Sequence, residues 1–350
     1  MDVNDPDAGA ALMVDVLEDR YGIFVGVVEP VHMGTDTTNR WVLTEDGRPL
    51  YVKEYRPTAN VAAARSTWDM SEFCRAARIP VPRVWPDVDG DLVTIAEGCA
   101  WAVTDEVPGR VTGTAMTVAL AEDIGAVMGR MHRALAAYPM PQKVQHSRWR
   151  TGSVEDAAAR CGSVLATALG QGHDHLDQLR LDLDQRREDL HQHVHRLRGR
   201  LPGKLVEQAL HADLSRTNLI VLADAVTGVI DFRGARATPA WELGRAAFDP
   251  RTVANSPEWI ACALAMASAY LAENPSLPVG EVRSCARIAL LYMLFSFYGA
   301  TTAEYELPPA AEADLTQHWR ERQTTIRLLL NHLDELEDAL SSLSAGGSDS

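Results

Sequence analysis

Between residues 23 and 105 the apolar residues come in short β-branched and aromatic runs. Beyond residue 110 they recur at helical spacing. That ordering restricts the fold most. Strands gathered first and helices afterwards describe an α+β protein, not an alternating parallel-sheet one. "IFVGVVEPV", "RWVLTEDG" and "PLYVKEY" read as strands, with "EDG" as a hairpin turn. A short amphipathic helix over 8–20 precedes them and ends near Gly22. An Ala-rich helix over 59–78 follows, and the prolines of "IPVPRVWP" stop it. "GDLVTIAEG" and "CAWAVTDEVPG" complete a small antiparallel sheet.

After "VPGR" at 107–110 the pattern becomes mostly helical. "TVALAEDIGAVMGRMHRALAAY" has clear helical periodicity. "HLDQLRLDLDQRREDLHQHVHRLRGRLP" predicts a long solvent-facing helix, either an ordinary exposed insert or a docking face. The most apolar run, "IALLYMLFSFYG" at 288–299, falls short of the ~18 residues of a membrane span and reads as a buried core helix. The expected division is a sheet-based lobe over 1–107, a helical lobe over 108–340 and a disordered tail over 341–350.

A formal net charge of −15 disfavours nucleic acid and anionic membranes as partners. Five scattered cysteines without a CxxC pair, and an acidic N-terminus where a signal peptide would be basic, point to reduced thiols in a cytoplasmic protein.

Within the helical half, "HADLSRTNLI" at 211–220 and "VIDF" at 229–232 stand out. The spacing His-x-Asp-x-x-x-x-Asn, followed by an acidic residue ending the next strand, supplies parts that phosphoryl transfer needs. Asp213 is placed as the base that orients the attacking hydroxyl and accepts its proton. Asn218 and Asp231 offer oxygen to Mg²⁺, the ligand atom that cation prefers. Lys53, on the strand "LYVKEY", is placed on the phosphates of ATP. "GTDTTN", from Gly34 to Asn39, is the turn over those phosphates, Gly34 permitting close backbone approach. His211 is expected to pack beneath the loop and hold its shape.

These motifs resemble those of the aminoglycoside phosphotransferase and choline-kinase-like enzymes, over roughly residues 20–340. "GTDTTN", "YVKEY", "IPVPRVW", "DEVPGR", "MGRMHRAL", "HADLSRTN", "VIDF" and "PAWELGR" fall in that family's order. The resemblance implies the bilobal protein-kinase-like fold and ATP/Mg²⁺-dependent transfer to a hydroxyl. It implies that "TDEVPG" is the hinge, with the backbone from Asp105 to Val107 against adenine. It implies that Glu242 braces the catalytic loop, although a helix-start acid is an equal alternative. It also implies an acidic partner for Lys53 on the first large helix. Asp69 and Glu72 are the candidates, and Glu72 is preferred for its longer side chain. Ala212 departs from the family's usual Gly, and Arg216 in "SRT" is unusual and expected to face solvent.

His191 and His195, four apart, read as a solvated helix face. His132 reads as structural, and Trp241 and Trp259 as core. The acceptor is expected to be a small-molecule hydroxyl, with a cationic antibiotic as one candidate. A second reading is a kinase for Ser or Thr of a precursor peptide, working with a partner lyase. A third is a pseudokinase scaffold, which has no need of Lys53, Asp213, Asn218 and Asp231 together.

Overall fold

The computed structural model describes residues 6–31, 37–55, 61–113, 116–145, 147–170, 175–301 and 309–343. The first strands are β1 (Val25–Val31), β2 (Thr37–Thr44), β3 (Pro49–Tyr55), β4 (Val84–Trp85), β5 (Thr94–Ala96), β6 (Cys99–Asp105) and β7 (Arg110–Val111). Later come β8 (Gln208–Leu210), β9 (Leu219–Leu222), β10 (Ala225–Val229) and β11 (Ala235–Ala237). The helices are α1 (Pro6–Tyr21), α2 (Val61–Ala76), α3 (Val118–Leu135), α4 (Arg148–Thr151), α5 (Val154–Gly170) and α6 (Leu176–Gly199). They continue as α7 (Pro239–Ala247), α8 (Pro250–Asn255), α9 (Trp259–Glu273), α10 (Val279–Arg283), α11 (Cys285–Phe295) and α12 (Pro309–Ser342). The fold is α+β, with an antiparallel sheet first and helices after it. None of the described helices is long and apolar enough to cross a membrane.

Two compact units emerge. The first holds residues 1–112 and 217–234, the second 113–216 and 235–350. Residues 217–234 belong with the first because β9 pairs both with β10 and with β7.

In the first unit the sheet runs β1-β2-β3-β6-β4, with β5 also on β6. Its side chains alternate between two helix-covered faces, as strand geometry dictates. Met13, Val16 and Leu17 of α1 pack against Val42, Leu50, Val52, Trp101 and Val103 on one face. Ala64 of α2 packs with Ala100 and Val93 on the other, joined by Tyr55 and Trp68. On β3 the buried residues are Leu50, Val52 and Glu54, so Lys53 and Tyr55 look the opposite way. Glu54 is fully buried and meets Arg40 at 3.0 Å, which keeps its charge paired inside the unit.

In the second unit, α3 and α9 cross so closely that glycine is required. A Cβ at Gly129 would sit 2.6 Å from the Tyr270 carbonyl oxygen, and one at Gly125 would overlap that of Met266. The apolar run at 288–299 begins as the buried helix α11, as its composition predicts. Helix α6 departs from expectation. It is not simply a solvent-facing rod, because Leu179, Leu183, Leu190, Val194 and Leu197 form a buried stripe along it. The fully buried Arg186 of that helix donates to the carbonyls of Met293, Leu294 and Ser296 at 2.7–3.2 Å. It thereby satisfies carbonyls that the end of α11 leaves without helical partners. His191 and His195 lie on the exposed side of α6, and the five cysteines are buried and make no disulfide among the described residues.

Candidate active site

The first unit gathers the residues read as nucleotide-binding. Lys53 stands in the middle of β3, directly opposite Asn39 on β2 and Ala102 on β6. Its ammonium lies 5.9 Å from the Trp68 ring centre and pairs with Asp231, a residue 178 positions away. Asp231 follows β10 at φ 60°, a left-handed conformation that costs a non-glycine residue energy and that clusters at functional sites. Both side chains are partly exposed, 23% for Lys53 and 45% for Asp231, so their pair adds little to stability and is readily exchanged. Asn218 is buried at the end of a 3₁₀ turn. The Ile230 N–H donates to its carbonyl at 3.0 Å, tying the loop before β9 to the one after β10.

The expected Lys53–Glu72 pair is not formed among the described residues. The Glu72 carboxylate is held by Arg75 at 2.7–2.9 Å and by the Val84 N–H at 3.2 Å. An arginine one turn along the same helix, together with an oriented backbone donor, outcompetes a lysine on the sheet. Asp69 is exposed. Gly34 lies outside the described residues. In the hinge segment, the Asp105 N–H is used by Arg83 and the Glu106 N–H by Pro49. The Asp105 carboxylate accepts from the Trp85 indole at 2.7 Å. Among the described residues Val107 makes no hydrogen bond.

The second unit holds Asp213 and the apparatus around it. Its loop follows β8, which is pinned by β11 through Ala235 opposite Leu210. The Asp213 N–H donates to His211 Nδ1 at 3.2 Å, and His211 is fully buried. Glu242, at the start of α7, accepts from the Ala212 N–H at 2.7 Å and meets His132 Nε2 at 2.9 Å. His132 Nδ1 meets the Tyr270 hydroxyl at 3.0 Å, and that hydroxyl accepts from Asn274 at 2.9 Å. Burial pushes the Glu242 carboxyl upward, but the hydrogen bond and charge of His132, aided by His211 and Arg245, leave it below the usual carboxylate range. A buried, charged network therefore holds the loop from beneath, and His132 works in it structurally. Trp259 is buried, and so is Trp241.

Ala212 itself sits at φ 68°, where glycine is at ease. Arg216 corrects the solvent reading. It is 6% exposed and reaches Thr252 at 3.4 Å and Asp249 at 3.9 Å. Arg245, not singled out from the sequence, lies 3.5 Å from Asp213 with its guanidinium over Trp241 and Tyr292, 5.0 and 5.3 Å from their ring centres. Its position three residues after Glu242 on α7, on the same helix face, was the available signal.

With this geometry in view, comparison with known proteins is decisive for class. The model of the phosphotransferase enzyme family matches residues 27–279, more than half of the chain. The chain therefore belongs to that family and is, by class, a phosphotransferase. It is 24% identical over 242 residues to a homoserine kinase of Zymomonas mobilis, a match spanning 68% of this chain and 65% of that protein. Among solved structures, an aminoglycoside phosphotransferase from Alicyclobacillus acidocaldarius superposes with a TM-score of 0.62 at 14% identity. That likeness covers 92% of this chain and 96% of the other. An amicoumacin kinase, solved with AMP-PNP, Ca²⁺ and Ami, gives 0.58 at 17% identity over 91% and 93%. These likenesses establish the kinase-like fold.

Proposed function

We propose that the chain is an ATP- and Mg²⁺-dependent kinase that moves the γ-phosphate to the hydroxyl of a small molecule. The observation that carries this reading is the meeting of Lys53 and Asp231 across 178 residues, beside the Asn218 loop. A cation-binding carboxylate, an amide and a phosphate-reading lysine are then held in one unit.

The donor set fits the group it would hold. Asp231 and Asn218 offer hard oxygen atoms, and the Lys53 ammonium beside the Asp231 carboxylate supports a place for positive charge there. No cluster of three or more His, Cys, Asp or Glu suited to a metal occurs among the described residues. That agrees with Mg²⁺, which takes one or two protein carboxylates and completes its shell with phosphates and water. When bound, Mg²⁺ neutralises charge on the phosphates. Lys53 is assigned to the phosphates, the Val107 backbone to adenine, and Gly34 and Asn39 to the turn near the phosphates.

Asp213 is assigned as the base. The acceptor oxygen gives its proton to the Asp213 carboxylate and bonds to the γ-phosphorus, while the bond from that phosphorus to the bridging oxygen breaks and ADP leaves. Glu242 and His211 keep the loop, and with it Asp213, in place. Arg245, 3.5 Å away, pairs with Asp213 and helps fix where its carboxylate sits.

The test is ADP release by the purified chain with Mg²⁺ and ATP. The acceptors are homoserine, amino alcohols, an aminoglycoside and a Ser/Thr-rich peptide. Acceptor-dependent release is expected with a small alcohol, reduced by at least ~10²-fold in Asp213→Ala. Release only with the peptide would replace the small-molecule acceptor by a protein one. ATP binding without release for any acceptor would leave a nucleotide-binding scaffold.

A further inference from the structure

The second unit contains a cavity of about 180 Å³ lined by Arg148, Trp149, Arg160, Tyr292, Phe295, Ser296 and Phe297. Tyr292 belongs both to this wall and to the surroundings of Asp213, because the Arg245 guanidinium lies over its ring and reaches Asp213. Arg245 therefore links the cavity wall at Tyr292 to Asp213.

The lining is of one chemical kind. Four aromatic rings give it flat, apolar walls, two arginines supply charge, and among the described residues no carboxylate lines it. More cations stand against the same rings: Arg198 lies 4.7 Å from the centre of Phe295, and Arg186 5.9 Å from that of Phe297. A chain of net charge −15 has here gathered arginines against the grain of its composition. A cationic ligand would meet repulsion from these guanidiniums and, among the described lining residues, no acid to pair with. An oxyanion would find guanidinium forks, which bind carboxylate and phosphate through two parallel hydrogen bonds. The volume lies below the ~300–1,000 Å³ of pockets that enclose drug-sized ligands, which favours a small body at this point.

We infer that this cavity is the acceptor subsite, and that the acceptor is a small alcohol bearing an oxyanion on a flat or apolar body. Arg148 and Arg160 hold the oxyanion, the rings sandwich the body, and the hydroxyl is presented toward Asp213. The inference rests on the kinase reading for its biological meaning, while its binding content stands apart from turnover.

The experiment is isothermal titration of the full chain with four probes sharing one benzyl alcohol body. They are para-(hydroxymethyl)benzoate, its neutral amide, para-(hydroxymethyl)phenyl phosphate and para-(hydroxymethyl)benzylamine. At least one anionic probe should bind about tenfold or more tighter than the amide, and the amine weakest. The benzoate and phosphate arms tell which oxyanion is preferred. In the double variant Arg148→Gln/Arg160→Gln the preference over the amide should collapse toward unity. Arg160→Lys, which keeps charge but not the fork, should retain part of it. Both arginine side chains are exposed, so these variants should keep the wild-type melting temperature. Equal binding of acid and amide, tightest binding of the amine, binding of none of the probes, or an unchanged preference in the double variant would each overturn the inference. Anion-selective binding without ADP release from any acceptor would overturn the kinase reading and leave the subsite standing. ADP release with no anion selectivity would do the reverse.

Discussion

Ala212 shows how one residue records a constraint of the whole site. At φ 68° an L-residue crowds its own carbonyl at a cost of ~1–2 kcal/mol, and glycine does not. The family's usual glycine here is thus a backbone requirement. Ala212→Gly should stabilise the chain by ~0.5–1 kcal/mol after the added freedom of the unfolded glycine is deducted. Urea unfolding checks this, and a loss of stability would show that the buried methyl matters more than the strain. Glu242 carries a pH signature. Its carboxyl is held below the usual range, so its stabilising contribution is complete above the unfolded value of 4.5 and is lost as pH falls through the lower folded value. As pH falls below about 4.5, wild type should lose stability more steeply than Glu242→Gln, while above about pH 5 the two slopes should match, measured by denaturant melts at each pH. Both residues were legible, Ala212 as a departure from a motif and Glu242 as a bracing candidate. Arg216 was not. Its partners Asp249 and Thr252 lie more than thirty residues downstream, and a local reading of "SRT" sees only polarity. Glu72 was hidden for the opposite reason: Arg75, one turn along the same helix, takes its carboxylate before any residue of the sheet can.

At the scale of elements, periodicity identified which segments are helical but not how closely they meet. Gly125 and Gly129 sit four apart on α3, where their missing side chains admit the backbone of α9 at Met266 and Tyr270. The same crossing carries Tyr270 to His132, so the closeness of two helices sets the reach of the network under the Asp213 loop. Gly125→Ala should therefore cost stability, by ~1–3 kcal/mol or more since the clash is with backbone. It should also lower kcat through displacement of His132, where a remote packing defect would affect the melt alone. Thermal melts and turnover together separate these outcomes. Helix α6 illustrates what composition hides. Its many charges suggest a solvated rod, yet a stripe of leucines and valines at three- and four-residue spacing, with Arg186 among them, anchors it to α11. A buried arginine that caps another helix leaves no trace in apolar periodicity, because its partners are backbone carbonyls a hundred positions away.

For the molecule as a whole, the order of the patterns was sufficient for architecture. Strands before residue 105 and helices after 110 produced the α+β arrangement, because a small sheet buries its faces locally while the later helices bury theirs in one another. Residues 217–234 fall with the first unit, since β9 pairs with β7 on one side and β10 on the other. Consequently Asp231 and Asn218 share a unit with Lys53, while Asp213, only five residues before Asn218, belongs to the other. That partition gives the proposed roles a thermodynamic test that needs no acceptor. A ligand that binds only the folded state stabilises it by RT ln(1 + [L]/Kd), about 2.7 kcal/mol at a hundredfold excess over Kd. For a chain of this size the melting temperature should rise by a few degrees with Mg²⁺ and ATP. The rise should be largely lost in Asp231→Asn and in Lys53→Met, which remove the cation-binding carboxylate and the phosphate-reading ammonium. It should persist in Asp213→Ala, because that residue is assigned to the acceptor and not to the nucleotide. Chelation of Mg²⁺ should reduce the wild-type shift to what ATP alone supports. A shift lost equally in Asp213→Ala would mean that Asp213 also takes part in nucleotide binding, and the assignment of roles between the two units would have to be redrawn.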